Sequence, residues 1–273
     1  MKQVPQIEVR GLTHVYASGP QRLTALEDVD LEVDRGAFIS VVGPSGGGKT
    51  TLLKVIGGLL GPTRGSVVVE GVSPEVAQRR KSIGFVFQDP SLLPWRTVLQ
   101  NIALPLQLNA GRKAGDVDEP EHLMEAVGLA RFRDYHPHRL SGGMRQRVAL
   151  ARALVLDPAV LLMDEPLGAL DEMTRSVMRY ELLRIWELSR KTVVFVTHSV
   201  PEAVLLADRV VVMSSQPGRV LDELRIDLSR PRDEPVERST RFLDYVQRIK
   251  DILSLGALGE TIPIEAQAGI QAR

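Results

Sequence analysis

Eight consecutive residues, Gly43-Pro44-Ser45-Gly46-Gly47-Gly48-Lys49-Thr50, place an ammonium and a hydroxyl behind a run of glycines. Gly, four free positions, then Gly-Lys-Thr is the pattern of a phosphate-binding loop. Glycines let backbone N–H groups curl around phosphate oxygens without Cβ clashes, the Lys49 ammonium neutralises β- and γ-phosphates, and the Thr50 hydroxyl is a ligand for Mg²⁺. The apolar run from Phe38 to Val42 precedes the loop and Thr51-Leu52-Leu53-Lys54-Val55-Ile56 follows it. The loop therefore lies where a strand feeds a helix, whose first N–H groups and positive dipole end favour anions. In that context the segment reads as a nucleoside triphosphate site rather than as a solvated glycine turn.

A second constellation closes the apolar run Val160-Leu161-Leu162-Met163 with Asp164 and Glu165. Carboxylates at the C-terminal end of a buried parallel strand face the crevice where α/β sheets bind ligands. Asp164 suits Mg²⁺, directly or through water, and Glu165 suits the attacking water. Such an acidic pair is commonplace alone and acquires meaning beside the phosphate loop.

The elements that must position these groups follow from hydrophobic patterning. Short β runs separated by Gly and Pro occupy the first ninety residues: Ile7 to Val9, Leu31 to Val33, Phe38 to Val42, Ser66 to Val69 and Ile83 to Phe87. Helical periodicity then runs from Thr97 to about Asp157, which predicts a helical insertion. Buried-strand runs return at Val160 to Met163, Thr192 to Thr197 and Arg209 to Met213, with an amphipathic helix over Arg175 to Ser189. Near-continuous apolar strands alternating with helices predict a largely parallel sheet covered on both faces. A last helix is expected from Thr240 to Leu255, packed on the core by Phe242, Leu243, Val246, Ile249 and Ile252, with a frayed tail beyond Gly259.

Composition bounds the function. The 273 residues carry 34 Lys+Arg and 34 Asp+Glu, a formal charge of zero, so no global basic field attracts nucleic acid. With 44% hydrophobic and 25% charged residues the chain is globular, of one large or two small domains. Its apolar stretches fall short of the roughly 18 residues of a membrane span, and the first residues form no signal-peptide core. The absence of cysteine removes disulfides, thiolate metal sites and Cys nucleophiles. Membrane work is expected only through a partner.

Between the two constellations, Leu140-Ser141-Gly142-Gly143-Met144-Arg145-Gln146 resembles the signature motif of the ATP-binding cassette (ABC) family. On its own the Ser-Gly-Gly is a helix cap with exposed N–H donors. Other motifs of that family follow in order. Tyr16 resembles the aromatic that stacks on adenine, and Gln88, 39 residues past Lys49, resembles the glutamine that touches Mg²⁺ and the water. Ala169-Leu170-Asp171 resembles the loop that crosses the dimer, and His198 resembles the switch histidine. The resemblance covers about residues 7 to 215, and Met144 departs from a more usual Gln.

What the resemblance implies is an α/β phosphate-loop NTPase of the ABC type: a RecA-like core sheet, an N-terminal antiparallel β subdomain and an inserted helical subdomain. The implied division is a core over 1–89, a helical subdomain over 90–158, the rest of the core over 159–215, and a short extension over 216–273 with no large regulatory domain. ATP and Mg²⁺ are the implied cofactors. Tyr16, Gly43 to Thr50 and Thr51 are expected to hold ATP, and Thr50, Gln88 and Asp164 the metal. Glu165, Gln88 and His198 are expected to align the water. Ser141, Gly142, Gly143 and Gln146 are expected to cap ATP held by the other subunit of a head-to-tail pair, with Asp171 at the crossing loop.

The motif from Phe87 to Ile102 and the later Ser214-Ser215-Gln216-Pro217-Gly218-Arg219-Val220 resemble ATPase subunits of nitrate, sulfonate and taurine importers, although Arg more often stands where Gln216 does. The expected partners are membrane permease subunits, served by a solute-binding protein on the far side, and a second copy of this chain; no nucleic acid is expected. The expected place is the cytoplasmic face of the inner membrane. Trp95 beside Gln88 suits a groove for a permease helix, with subdomain core as the alternative for Leu92, Leu93 and Trp95. An exporter or lipid-transport ATPase, or a soluble non-transport cassette, remains the alternative function.

Overall fold

A computed structural model of the chain describes residues 4–109 and 119–257; the expected frayed tail lies outside them. In chain order the elements are β1 (Ile7–Ser18), β2 (Gln21–Val33), β3 (Phe38–Val42), α1 (Lys49–Ile56), β4 (Arg64–Val69), α2 (Pro74–Arg79) and β5 (Ile83–Val86). The short helices α3 (Val98–Ile102), α4 (Leu104–Leu108) and α5 (Pro120–Ala126) lead to the longer α6 (Gly142–Leu154). Then come β6 (Val160–Asp164), α7 (Glu172–Ser189), β7 (Thr192–Thr197), α8 (Val200–Leu206), β8 (Arg209–Met213), β9 (Val220–Arg225), α9 (Glu234–Glu237) and α10 (Thr240–Ala257).

The central sheet has the order β5-β6-β7-β3-β8-β9, parallel throughout except for the antiparallel edge strand β9. Its strands are apolar on both sides because each side meets a separate core. Phe38 and Val42 of β3, Leu161 and Met163 of β6, and Val193 and Phe195 of β7 enter one cluster, with residues of α6, α7, α8 and α10. The alternate residues Ile39, Val41, Val160, Leu162, Val194 and Val196 enter the other, with Leu52, Leu53, Val55 and Ile56 of α1. That second core is closed by a three-stranded antiparallel sheet, β2-β1-β4, whose Ile7, Val9, Leu31 and Val33 face inward. The period-2 alternation of a strand thus serves two layers at once.

A third cluster, Val98, Ile102, Met124, Val127, Leu129, Leu140, Val148, Ala151 and Val155, forms the inserted helical unit. Helix α6 belongs to both bodies: Val148 and Ala151 face this cluster, whereas Ala149, Leu150 and Leu154 face the central sheet. The last helix packs as expected through Phe242, Val246, Ile249 and Ile252, but Leu243 points outward at 54% exposure. Arg232 straps the preceding segment down: its buried guanidinium donates to the carbonyls of Val204, Leu205, Ala207, Ile226 and Leu228.

Candidate nucleotide site

The phosphate loop leaves β3 and enters α1 through Gly48, whose φ of 76° lies in the left-handed region and which caps the helix without a side chain. A Cβ there would sit 2.5 Å from the Ala25 carbonyl, so both conformation and space require glycine. The Lys49 ammonium folds over the loop and donates to the Gly43 and Pro44 carbonyls, each at 2.8 Å. Burial pushes Lys49 below its ordinary value, and the Glu165 and Asp164 carboxylates oppose that shift. The cation is thereby held at the loop by two weak acceptors that phosphate oxygens can replace.

Strand β6 delivers the carboxylates as expected. Thr50 donates its hydroxyl to Asp164 Oδ1 at 2.9 Å. Burial raises the Asp164 carboxyl above the usual range, with the Thr50 hydrogen bond opposing. Glu165 occupies a left-handed conformation at φ 44°, an unusual state for a non-glycine residue, and is pinned by its N–H to the Val196 carbonyl at 3.0 Å. Its Oε2 meets His198 Nδ1 at 3.2 Å. Gln88 reaches the same place: a Cβ built on Gly168 would lie 3.4 Å from Gln88 Nε2 and 3.6 Å from Glu165 Oε2. Glu165, His198 and Gln88, from three separate parts of the chain, are brought together.

Tyr16, Ser45, Gly46, Gly47, Gly48, Lys49, Thr50, Thr51 and Glu165 line one open cleft. The Tyr16 ring is half-exposed, lies edge-on to buried His14 at 4.6 Å, and pairs its hydroxyl with Thr51 Oγ1 at 3.2 Å. Three further wall residues were not identified from the sequence: Leu23, Ala25 and Gln216. Leu23 pairs with Tyr16 across β1 and β2, a register set by the two-residue Gly19-Pro20 connection. Gln216 arrives on a turn whose Pro217-Gly218 is visible in sequence, but its contact with the loop is long-range.

The signature segment does not line this cleft. Ser141 caps α6, accepting the Met144 N–H at 3.3 Å, and is exposed. Gly143 is packed against α7, where a Cβ would meet Thr174 Cγ2 at 2.6 Å. Gln146, in contrast, is buried and donates to the Phe87 carbonyl at 3.4 Å, so it braces α6 against the Gln88 segment. Arg152 on the same helix reaches the Pro90 and Ser91 carbonyls at 2.6 and 2.9 Å. Asp171 caps α7 by accepting the Thr174 N–H at 3.0 Å, and this bond holds its carboxyl below the ordinary value.

Beyond Gln88, Trp95 is 70% exposed, whereas Leu92 is tucked against the helical unit. Fully buried Asn101 shapes the loop around Trp95. It accepts from the Leu93 N–H at 2.8 Å and donates to the Leu93, Arg96 and Thr97 carbonyls.

A phosphate loop, an acidic strand end and a capped Ser-Gly-Gly helix on one chain agree with the comparisons. A family model described as ABC transporter matches residues 26–168. The chain belongs to the ABC transporter family. An uncharacterized ABC transporter ATP-binding protein of Methanocaldococcus jannaschii is 47% identical over 91% of this chain and 91% of its own length. An aliphatic sulfonates import ATP-binding protein of Bacillus cereus is 40% identical over 93% of this chain and 98% of its own. A nitrate import ATP-binding protein of a Synechocystis species is 40% identical over 90% and 94%. Among solved structures, a dimeric bacterial ABC transporter cassette, 36% identical, covers 82% of this chain and all of its own with a TM-score of 0.70. The same cassette in a post-hydrolysis state bound to ADP and Pi is 35% identical with the same coverage and TM-score. As an ABC cassette, the chain binds ATP and hydrolyses it.

Proposed function

We propose that this chain is the ATP-hydrolysing subunit of an importer for a small anionic or zwitterionic solute of the nitrate, sulfonate and taurine kind. The observation that carries the ATPase part of this reading is the composition of the cleft. It holds the phosphate loop and Glu165, while Ser141 and Gly143 stand outside it at another helix start. One protomer thus offers half a nucleotide site and half a lid, which fits two copies pairing head to tail.

In this reading Tyr16 stacks on adenine, the loop from Gly43 to Thr51 wraps the phosphates, and Lys49 moves from the Gly43 and Pro44 carbonyls onto phosphate oxygens. Thr50, Asp164 and Gln88 supply hard oxygen donors and leave the remaining positions to phosphate and water, a set that suits Mg²⁺. Bound there, the metal would neutralise charge on the phosphates. Glu165 accepts a proton from the attacking water, His198 holds Glu165 in place, and Gln88 orients the water from the other side. Hydrolysis needs placement and charge neutralisation more than covalent help. The second copy's Ser141, Gly142 and Gly143 complete the γ-phosphate shell, with Asp171 at the crossing.

No described helix is long and apolar enough to cross a membrane; the partners in this reading are membrane permease subunits. The face around Gln88 and exposed Trp95 suits a permease's cytoplasmic helix, since aromatic residues are enriched at interface cores. Gln146 and Arg152 give that face a rigid connection to the signature helix. The names of the sulfonate and nitrate relatives, both import ATP-binding proteins, support an importer; in this reading the chain works at the cytoplasmic side of the membrane and a solute-binding protein serves the far side.

The test is capture of tagged Glu165→Gln protein with ATP and Mg²⁺ from detergent-solubilised membranes of its host. A co-purifying polytopic permease is the expected result, and its binding protein is then screened with nitrate, sulfonates and taurine. Recovery of soluble or ribosomal partners alone would overturn the importer reading.

A further inference from the structure

Beside Glu165 and His198 lies an ion pair, buried at its carboxylate end, that does not line the cleft. Glu202, in the first turn of α8, is 4% exposed. Its Oε2 accepts the hydroxyl of Thr197 at 2.7 Å, and Thr197, 2% exposed, immediately precedes His198. The same hydroxyl accepts the Ser199 N–H at 3.0 Å, so both neighbours of His198 are fixed through one oxygen. The other Glu202 oxygen faces Arg175 Nε at 3.8 Å.

Arg175 in turn holds the loop that begins at Glu165. Its guanidinium donates to the Leu167 carbonyl at 3.3 Å and the Leu170 carbonyl at 2.7 Å, and pairs with Glu172 at 3.0 Å. Glu165 needs such support, because its left-handed backbone persists only where the surroundings over-determine it. The Gly168 N–H returning to the Glu165 carbonyl at 3.0 Å closes the turn that Arg175 anchors. Burial pushes the Glu202 carboxyl up, opposed first by the Thr197 hydroxyl and then by the Arg175 and Arg179 guanidiniums.

We infer that Arg175 and Glu202 are positioning residues for hydrolysis: the pair clamps the Glu165-to-Asp171 loop to the Thr197-His198 strand end and so sets the Glu165–His198 contact. This deepens the proposed mechanism and rests on the roles given there to Glu165 and His198. A pair serving only to pack α7 against α8 would be replaceable by apolar side chains of similar volume without loss of rate, because buried ion pairs often contribute little net stability. A clamp would not be replaceable.

Three variants of the full-length chain separate these. Glu202→Gln keeps an oxygen for Thr197 but removes the charge facing Arg175. Arg175→Lys keeps the charge but loses the fork that reaches Leu167 and Leu170 together. The double variant Arg175→Met with Glu202→Leu fills the space without charge. Phosphate release, ATP affinity and the thermal midpoint are measured for each. The expected result is a fall in kcat of about 10- to 100-fold in all three, since a misplacement of about 1 Å costs on that order. The Kd for ATP should stay within about twofold, because neither residue lines the cleft and the phosphate loop keeps its own contacts. A double variant that folds and regains wild-type kcat would overturn the inference, as would Arg175→Lys at full rate. If wild type itself released no phosphate, the catalytic reading would fail instead, which the variants alone cannot produce.

Discussion

Thr50 and Asp164, 114 positions apart, are joined by a hydrogen bond of 2.9 Å that ties the first turn of α1 to the end of β6. The bond holds two oxygen donors at the spacing of neighbouring ligands, and it occupies the Asp164 oxygen that a cation would take. Burial has already raised this carboxyl, so it protonates at a higher pH than an exposed aspartate. A protonated acid is a poor metal ligand, and the sign of the effect follows. As pH falls from neutral through that raised value, the Mg²⁺ concentration giving half-maximal ATPase should climb. Asp164→Asn should require about tenfold more Mg²⁺ or greater and lose this pH dependence. Titration of phosphate release against Mg²⁺ at several pH values checks both; a pH-independent requirement in wild type would remove Asp164 from the metal shell.

Glu165 and Lys49 should fail in different ways. Glu165→Gln keeps size and the His198 contact but cannot accept a proton, so kcat should fall about 100-fold or more while ATP still binds. With ATP trapped, the protein should elute as a dimer, whereas wild type with ADP should elute as a monomer. Lys49→Ala removes the ammonium from the loop and should raise the Kd for ATP by about 10- to 100-fold. Equilibrium binding alongside phosphate release separates the two, and near-normal turnover in Glu165→Gln would end its assignment as the base.

The sequence exposed those groups because their signals are local. Gly43 to Thr50 need only each other to be recognised, and Asp164 and Glu165 end a strand that is apolar throughout. The antiparallel sheet is less legible: patterning predicts only Ile7 to Val9 and Leu31 to Val33 where β1 and β2 run for 12 and 13 residues. Register shifts between Val9 and Leu12, Leu12 and His14, and His14 and Val15 break the alternation that identifies a strand. Strand β9 has no sequence signal because this antiparallel edge carries Asp222 and Glu223 in its middle, where a buried strand would be apolar. Helix α7 was expected to begin at Arg175, yet Asp171 starts it, since Glu172 and Met173 are solvent-facing and add nothing to an apolar stripe. Gln216, Arg175 and Glu202 carry no local signal of the positions they take around the site. Each is a polar residue whose meaning lies in a partner far along the chain.

Substitution can part the helix-capping role of Ser141 from the role proposed for it across the dimer. Its hydroxyl caps α6 within the protomer, and loss of such a cap costs about 1 kcal/mol, so Ser141→Ala should lower the thermal midpoint by a few degrees. Asp caps helices as well as Ser does, and its charge favours the helix start. Ser141→Asp should therefore melt at or above wild type, yet it would set a carboxylate against the γ-phosphate of the facing copy. Its turnover should drop below that of Ser141→Ala while ATP binding to the separated protomer stays unchanged. A Ser141→Asp protein with full cooperative ATPase would show that the helix cap is all this residue supplies.

The turn from Ser214 to Arg219 packs against the phosphate loop, and Gly218 is one of the points where they meet. A Cβ on Gly218 would lie 2.3 Å from the Gly47 carbonyl oxygen and 3.0 Å from its carbon, both backbone atoms that no rotamer change can move. The turn cannot retreat either, because the Gly218 N–H donates to Ala25 at 2.9 Å and its carbonyl accepts from Glu27 at 3.0 Å. Gly47 meets the same turn a second time, where its Cβ position lies 2.5 Å from the Ser214 carbonyl oxygen. The strain of Gly218→Ala must therefore pass into the loop that wraps the phosphates. The expected outcome is a rise in the Kd for ATP of about tenfold or more. Ser215→Ala, on the exposed side of the same turn, should bind as wild type does. Isothermal titration of both proteins with ATP decides it: equal affinities would mean that the loop tolerates displacement and that this turn only covers it.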